Sequence, residues 1–270
     1  MPSPQPETWT SGDLYEPYVG RWSRLVAREF LAWLALPPGG HWIDCGCGTG
    51  ALTHTILAET APASVVGIDI TGEYVAYARA HINDERASFA VGDVQTLDLA
   101  AATFDVAVSG LVLNFVPHPE RMIAEMVRMV RPGRTVALYV WDYAGEMQMM
   151  RHFWDAAVAL DPTATDKDEG RRFPLCAPEP LARLVAEAGL RAVATHAIDV
   201  PTIFRDFDDY WMPFLSGQGP APTYITSLDE ERRVALRETI RARLPRTVDG
   251  SIHLMARVWA VQGTRALPSG

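Results

Sequence analysis

A glycine-rich turn near the start of the chain follows a short apolar run. Trp42 and Ile43 predict a buried strand that ends at an acidic residue, Asp44. Glycines then occupy alternate positions, at Gly46, Gly48 and Gly50. Residues 51–57 predict the first turns of a helix, whose free N–H groups attract polar or anionic groups. Because glycine lets a ligand approach peptide groups that a Cβ would shield, the pattern predicts a nucleotide-type ligand here.

Two cofactors could use this turn. Residues 46–51 can be fitted to the dinucleotide pattern, because that pattern tolerates alanine at its last place. The third glycine, and an acid two residues before Gly46, fit a different cofactor better. The run Asp-x-Gly-x-Gly-x-Gly resembles the first motif of class I S-adenosylmethionine (SAM)-dependent methyltransferases. In that family the loop faces the methionine half of SAM, and the acid helps to hold its cationic amino group, often through water. The resemblance therefore implies a set of cofactor-binding residues in the turn: Asp44, Cys45, Gly46, Cys47, Gly48 and Gly50.

A second acidic residue ends the next predicted strand. Residues 64–69 read as a buried strand, and Asp69 lies 19 residues beyond Gly50. A carboxylate in this place can accept hydrogen bonds from both hydroxyls of a ribose. Since SAM and NAD both carry ribose, Asp69 does not separate them. We include the adjoining Ile70 in the predicted cofactor site.

A third acid follows the third predicted strand, residues 87–91. In class I methyltransferases an acid in this place commonly accepts a hydrogen bond from the adenine amino group, and an apolar neighbour packs on the ring. The resemblance implies these roles for Asp93 and Val94, although Asp93 could instead cap a helix. Ser109, which ends the fourth predicted strand over residues 103–109, completes the cofactor site on the sheet.

The N-terminal segment predicts a helix over residues 19–36, because apolar residues recur there at helical spacing. Many small-molecule methyltransferases begin with a helix that bears Tyr and Arg and closes over the cofactor. Tyr18 and Arg21 look like such lid residues. The alternative is an amphipathic helix that only packs on the sheet.

The order of predicted elements defines the fold class. A helix over residues 117–130, stopped by Pro132 and Gly133, precedes a fifth strand over residues 135–141. Residues 15–142 together resemble the ubiquinone/menaquinone methyltransferase-like group. We predict an α/β fold: a doubly wound, Rossmann-like, seven-stranded sheet with a small helical cap. The sixth and seventh strands are predicted at residues 190–200 and 251–261, and Ser227 to Glu230 read as a capping box that opens a helix.

The resulting domain organisation has four parts. They are a tail and lid helix (1–40), a SAM-binding core (41–145), a helical cap for the substrate (146–176 and 201–250) and the rest of the core sheet (177–200 and 251–263).

Methyl transfer from a sulfonium is an in-line displacement, so the enzyme mainly aligns the acceptor and excludes water. A general base is needed only if the acceptor must lose a proton. The candidates are His152, His253 and Asp142, although a lone histidine is usually structural and Asp142 could cap a helix. Aromatic residues could wall the substrate pocket or belong to the core: Trp141, Tyr143, Phe173, Trp211 and Phe214.

Composition limits the partners. The 270 residues are 48% apolar, and 24 basic against 33 acidic residues give a net charge of −9. Nucleic acids and anionic membranes require basic surface, so neither is expected. We expect a small-molecule substrate and a monomer or homodimer.

No Asp/Asn-Pro-Pro-Tyr/Phe motif follows the fourth strand. Methyltransferases that act on exocyclic base amines or on glutamine amines use that motif, so its absence disfavours those acceptors.

Three cysteines imply no disulfide framework, and the absence of a membrane-length apolar run favours a soluble, cytoplasmic protein. Cys45 and Cys47 lack a second Cys/His pair, so no metal is predicted. The sequence thus predicts SAM-dependent methylation of a small, partly apolar molecule. The alternatives are an NAD-dependent oxidoreductase and a non-methylating SAM-binding or cyclase-like protein.

Overall fold

A computed structural model of the chain describes residues 21–216 and 219–268. Its strands are β1 (His41–Cys45), β2 (Ser64–Asp69), β3 (Ala87–Val91), β4 (Phe104–Gly110), β5 (Val130–Trp141), β6 (Leu190–Phe204) and β7 (Ile252–Arg265). The α-helices are α1 (Arg21–Leu34), α2 (Ala51–Glu59), α3 (Gly72–His81), α4 (Pro119–Met129), α5 (Gln148–Leu160), α6 (Glu169–Arg172), α7 (Pro178–Glu187), α8 (Phe207–Trp211), α9 (Pro220–Ser227) and α10 (Glu230–Arg243). Short 3₁₀ helices cover Leu113–Phe115, Pro162–Lys167 and Met212–Ser216.

The described residues form a seven-stranded sheet in the order β3-β2-β1-β4-β5-β7-β6. Strands β1 to β5 are parallel, and β7 runs antiparallel to β5. From β1 the chain moves outward through β2 to β3, then returns to place β4 on the other side of β1. The carboxyl ends of the parallel strands next to such a reversal form the usual ligand crevice of doubly wound sheets. The predicted α/β fold class is confirmed.

The chain divides into two compact units. One, which we call the sheet unit, comprises residues 22–141, 175–198 and 258–268 of the described chain. Its central strands are buried on both faces, as near-continuous apolar runs predict. Helix α1 contributes Val26, Ala27 and Phe30, which are fully buried, and the Phe30 ring lies 4.7 Å from that of Tyr139 on β5.

The second unit, which we call the helical unit, comprises Arg21 with residues 142–174 and 199–257 where they are described. It contains α5, α6 and α8 to α10. Its core is aromatic: the rings of Phe153 and Phe214 stack with centroids 4.8 Å apart, and Tyr210 lies 5.4 Å from Phe214. The Tyr210 hydroxyl donates to the carbonyl oxygen of Met149 at 2.7 Å, which satisfies a fully buried polar group. The domain boundaries expected from the sequence stay a prediction.

Two local predictions are wrong. Pro132 and Gly133 do not stop a helix, because α4 ends at Met129 and both lie in an irregular stretch of β5, where the register against β4 shifts. The predicted capping box does not form, since Ser227 is the last residue of α9. Asp229 caps α10 instead and accepts from the backbone N–H of Arg232 at 2.8 Å.

The last strand also departs from the simple order along the chain. β7 inserts between β5 and β6, so the sixth strand, not the seventh, forms that edge of the sheet. Within residues 21–216 and 219–268, no helix is both long enough and apolar enough to cross a membrane.

Candidate cofactor site

The glycine turn lies directly after β1 and has left-handed backbone at each glycine. At Gly46 (φ +79°), a Cβ would come within 2.5 Å of Cγ2 of Val112, so a side chain cannot be added without moving Val112. At Gly48 (φ +52°), a Cβ would meet no described atom within 4 Å. Gly46 is therefore required by close packing, whereas Gly48 borders open space that a ligand can use.

Asp44, the next-to-last residue of β1, has a buried carboxylate with only one of its two oxygens hydrogen-bonded. Its Oδ2 atom accepts a 2.7 Å hydrogen bond from Oγ1 of Thr53, while Oδ1 is buried without a partner among the described residues. Burial raises the pKa of Asp44 to about 7, against the lowering effect of the Thr53 hydrogen bond. A buried carboxylate oxygen without a donor is costly, so this position fits a cationic group or a water molecule that binds one.

Asp69 ends β2 beside the turn. Its Oδ2 accepts from the backbone N–H of Gly48 at 2.9 Å, and its Oδ1 accepts from that of Thr71 at 2.8 Å. Burial raises the pKa of Asp69, and these two backbone hydrogen bonds oppose that effect. Each carboxylate oxygen keeps a second lone pair, so Asp69 can still accept from two hydroxyl groups. Ile70, the next residue, leaves 68% of its surface exposed and so offers an apolar face beside the acid.

Asp93 lies in a turn after β3, not at the start of a helix. Its Oδ1 accepts from the backbone N–H and the side-chain amide of Gln95, at 2.9 and 3.0 Å. No helix begins there in the described chain, so the helix-cap alternative for Asp93 is wrong. Val94 is buried beside it, and Ser109 is buried in β4 with an Oγ atom that has no partner among the described residues.

The two cysteines of the turn are buried free thiols. Burial raises the pKa of Cys45 and of Cys47 far above the usual range of a thiol, so both are neutral near pH 7. They line the turn as small apolar side chains rather than as reactive groups. In the part of the chain that the structure describes, no group of three or more His, Cys, Asp or Glu side chains could hold a metal ion.

The predicted lid residues are only partly visible, since Tyr18 lies outside the described residues. Arg21 begins α1 and belongs to the helical unit, where a guanidinium nitrogen lies 3.1 Å from Oδ1 of Asp209. Its guanidinium also lies 4.6 Å from the ring centroid of Phe204. The role of Arg21 as a lid stays a prediction.

The three catalytic candidates have different surroundings in the helical unit. Asp142 uses both carboxylate oxygens, which accept from the backbone N–H groups of Gly145 and Glu146 at 3.0 Å each. His152 is half-buried, and burial lowers its pKa, so the ring is neutral near pH 7. His253 is exposed, with Nε2 3.0 Å from Oγ of Ser251. Asp142 thus caps a turn and not a helix, because α5 begins only at Gln148, and His152 is the histidine better suited to accept a proton.

The five aromatic residues expected to wall a pocket differ in how deeply they are buried. Trp141, Trp211 and Phe214 are nearly or fully buried, which favours the core interpretation for them. Tyr143 is buried as well, and its ring centroid lies 5.6 Å from that of Phe173, which is half-buried. Tyr143 and Phe173 therefore keep the better claim to contact a substrate.

Sequence reasoning missed the residues that support the turn from behind. Thr53 lies on α2, where it holds Asp44, and Val112 fills the space that Gly46 leaves open. Thr53 gave no distinct signal, because the same helix also buries Thr55. No local signal pointed to Val112, because it meets Gly46 only once β4 and β1 are paired.

Comparisons with known proteins agree with this geometry. A family model described as "Methyltransferase domain" matches residues 43–138. A demethylmenaquinone methyltransferase of Roseiflexus sp. is 31% identical over 172 residues, which cover 58% of this chain and 70% of that protein. A 2-methyl-6-phytyl-1,4-hydroquinone methyltransferase of Synechocystis sp. is 29% identical over 237 residues, which cover 79% and 73% of the two chains.

A solved structure shares the fold at low identity. Phosphoethanolamine N-methyltransferase 2 of Haemonchus contortus, in complex with SAM, has a TM-score of 0.60 and 13% identity, with coverage of 94% of this chain and 57% of that chain. The chain spans about a third of the length of several curated relatives that it matches.

The fold and the site define a class I Rossmann-like methyltransferase domain. The chain belongs to the SAM-dependent methyltransferases of that class, in the ubiquinone/menaquinone methyltransferase-like group. SAM is the cofactor of this family, and the residues present fit it: an unpartnered buried carboxylate oxygen at Asp44, open space at Gly48 and an oriented carboxylate at Asp69. The comparisons give no support to an NAD-dependent oxidoreductase.

Proposed function

We propose that this chain transfers the methyl group of SAM to a small, partly apolar molecule. The observation that carries the proposal is the buried, unpartnered Oδ1 atom of Asp44 next to a glycine turn, at the point where the sheet order reverses. When bound, SAM supplies a methyl group that is already electrophilic and needs no activation by the protein.

The chain's own residues would bind the cofactor and orient it. Asp44 would hold the amino group of the cofactor, and Asp69 would accept from the ribose hydroxyls with a carboxylate already fixed by Gly48 and Thr71. We further propose the full cofactor site predicted from the sequence: Tyr18, Arg21, Asp44, Cys45, Gly46, Cys47, Gly48, Gly50, Asp69, Ile70, Asp93, Val94 and Ser109.

An apolar acceptor is supported by two relatives. The names of the Roseiflexus and Synechocystis proteins denote quinone-type compounds, and the Synechocystis acceptor carries a phytyl chain. The helical unit of this chain has an aromatic interior, in which Tyr143 and Phe173 remain candidates for substrate contact. His152 is the candidate base if the acceptor must lose a proton, since its neutral ring can accept one.

A cytoplasmic location forms part of the proposal. Cys45, Cys47 and Cys176 are buried free thiols, which suits a reducing compartment. The choice between monomer and homodimer stays a prediction.

The experiment that tests the proposal follows both products of the reaction. The full chain is incubated with SAM and a series of alkylated hydroquinones and phenols, and S-adenosylhomocysteine (SAH) and acceptors 14 mass units heavier are measured, as one CH₂ adds about that mass. We expect at least one acceptor to be methylated, and Asp69→Asn to lose the reaction. The exposed Asp166→Asn serves as the matched control and should keep it.

Two outcomes would contradict the proposal. SAH binding without a methylated product from any acceptor would indicate a non-methylating SAM-binding protein. Full turnover by folded Asp69→Asn protein would show that the cofactor does not bind where we place it.

A further inference from the structure

The helical unit has a half-open surface cavity of about 630 Å³ that is lined by no residue of the predicted cofactor site. It lies between the end of α5, the helix α9 and the first turns of α10, and its apolar wall is formed by Ala157, Leu160, Tyr224, Leu228, Ala235 and Leu236. Sites for small molecules in proteins have volumes of about 300–1,000 Å³ and mostly apolar walls. The cavity therefore has the size of a ligand site, and its walls are about as polar as they are apolar.

Its apolar wall is both exposed and fixed in place. Leu160 leaves 48% of its surface exposed, which a ligand in the cavity could cover. The Tyr224 ring is held by its neighbours, with its centroid 5.5 Å from that of Trp154 and 6.3 Å, edge-on, from that of Phe153. A ring held in this way can contact an apolar body or a cation without losing much conformational freedom.

The charged groups of the wall are mainly acidic. Asp161, Asp229 and Glu231 face the single basic residue Arg232, whose Nε lies 3.7 Å from Oδ2 of Asp229. Arg232 is thus already paired with one of the three acids. Hydrogen bonds from the backbone and side chain of Thr163 lower the pKa of Asp161, so its carboxylate is ionised at neutral pH. The wall therefore carries an excess of negative charge, which complements a cation.

We propose that this cavity binds a small amphipathic cation, an organic amine with an apolar body. The apolar body contacts Leu160, Leu236 and the Tyr224 ring, and the ammonium group lies on the side of Asp161 and Glu231. We propose this site as distinct from that of methyl transfer, because its lining includes neither the predicted cofactor residues nor the substrate candidates Tyr143, His152 and Phe173.

The test uses three probes with one apolar body and different head groups. The full chain, saturated with SAH, is titrated at pH 7.5 with 4-phenylbutylamine, 4-phenylbutanol and 4-phenylbutanoate by isothermal titration calorimetry. We expect the amine to bind saturably with one site per chain, about fivefold or more tighter than the alcohol, and the carboxylate to bind weakest. The proposal fails if the carboxylate binds tightest, if no amine binding is measured, or if the amine displaces SAH.

Substitutions on one helix locate the bound amine. Ala235 and Ala242 are both exposed on α10, and only Ala235 lines the cavity. We expect Ala235→Trp to lower the affinity for the amine at least tenfold and Ala242→Trp to leave it unchanged. Glu231→Gln should weaken binding of the amine and not that of the alcohol. Equal binding by the two tryptophan variants, in folded protein, would overturn the proposal while leaving the proposed function intact.

Discussion

At the scale of single residues, the proposed cofactor site depends on how Asp44 is buried. The carboxylate is 1% exposed and receives one described hydrogen bond, from Thr53, so its charged form lacks the solvation that it would have in water. The resulting pKa of about 7 makes it a group whose charge changes near physiological pH. A cation bound at Asp44 would favour the charged form and lower that pKa again.

This linkage predicts a pH-dependent affinity for SAH. Because the amino group of SAH is cationic below pH 8 and binds the ionised carboxylate, the affinity should be constant between about pH 7.5 and 8. It should then fall as Asp44 is protonated, approaching about tenfold per pH unit below pH 6. Calorimetric titrations from pH 5.5 to 8 measure this slope.

The matched variant is Asp44→Asn, which keeps the shape and loses the charge. We expect it to bind SAH more weakly at pH 8 and to lose most of the pH dependence. A smaller slope should remain, because burial also raises the pKa of Asp69. An unchanged slope in Asp44→Asn would show that another group controls the affinity.

At the scale of elements, two glycines of the turn have different roles: Gly46 allows close packing, and Gly48 leaves space for a ligand. Gly46→Ala should destabilise the fold strongly, since its Cβ would lie 2.5 Å from Val112 Cγ2 at a left-handed φ. Gly48→Ala should cost only about 1 kcal/mol, from φ alone, yet weaken SAH binding because the methyl group enters the open space. Urea denaturation and SAH titration of both variants check this split.

The double variant Gly46→Ala/Val112→Ala provides the control. If the clash is the cause, shortening Val112 should recover part of the stability that Gly46→Ala loses. Equal destabilisation by Gly46→Ala and Gly48→Ala would contradict the geometry of the turn.

In the helical unit, one buried ion pair fixes the segment after β5. Arg151 binds both carboxylate oxygens of Asp168, at 2.9 and 2.7 Å, and donates to the carbonyl oxygen of Tyr143 at 2.8 Å. Arg151→Ala leaves a buried carboxylate without its partner, and we expect a loss of about 3 kcal/mol in the free energy of unfolding. The exposed pair of Arg28 and Glu59, at 3.6 Å, gives the comparison.

Arg28→Ala should cost less than about 1 kcal/mol, because solvent screens an exposed pair. Denaturation curves of the two variants, at one pH and salt concentration, measure the difference. Equal losses in the free energy of unfolding would show that the buried ion pair of Arg151 stabilises the fold no more than the exposed pair of Arg28.

Elements that carry their own signal could be predicted from the sequence. The continuous apolar runs of β1, β2 and β4 predicted strands correctly, and the glycines and acids near their ends led to the proposed cofactor site. The predicted stop at Pro132 was wrong because Val130 already continues in an extended conformation, and the irregular start of β5 accommodates the Pro-Gly pair. The insertion of β7 between β5 and β6 was not predictable, since strand order depends on contacts far apart in sequence.

At the scale of the whole molecule, the predicted cofactor residues and the candidate catalytic residues fall mainly in different units. Apart from Tyr18 and Arg21, every predicted cofactor residue belongs to the sheet unit, whereas Asp142, His152 and His253 belong to the helical unit. The first set could be proposed from the sequence because a shared cofactor imposes a shared pattern. It could not separate substrate walls from core among the aromatics, since Phe214 and Phe173 differ only in how their neighbours cover them.

The most direct measurement is a paired calorimetric titration of the full chain with SAH and with NADH at pH 8. We expect saturable binding of one SAH per chain, weaker binding in Gly48→Ala, loss of binding in Asp69→Asn, and no heat of binding from NADH. Saturable binding of NADH with none of SAH would contradict the central claim that this site holds SAM.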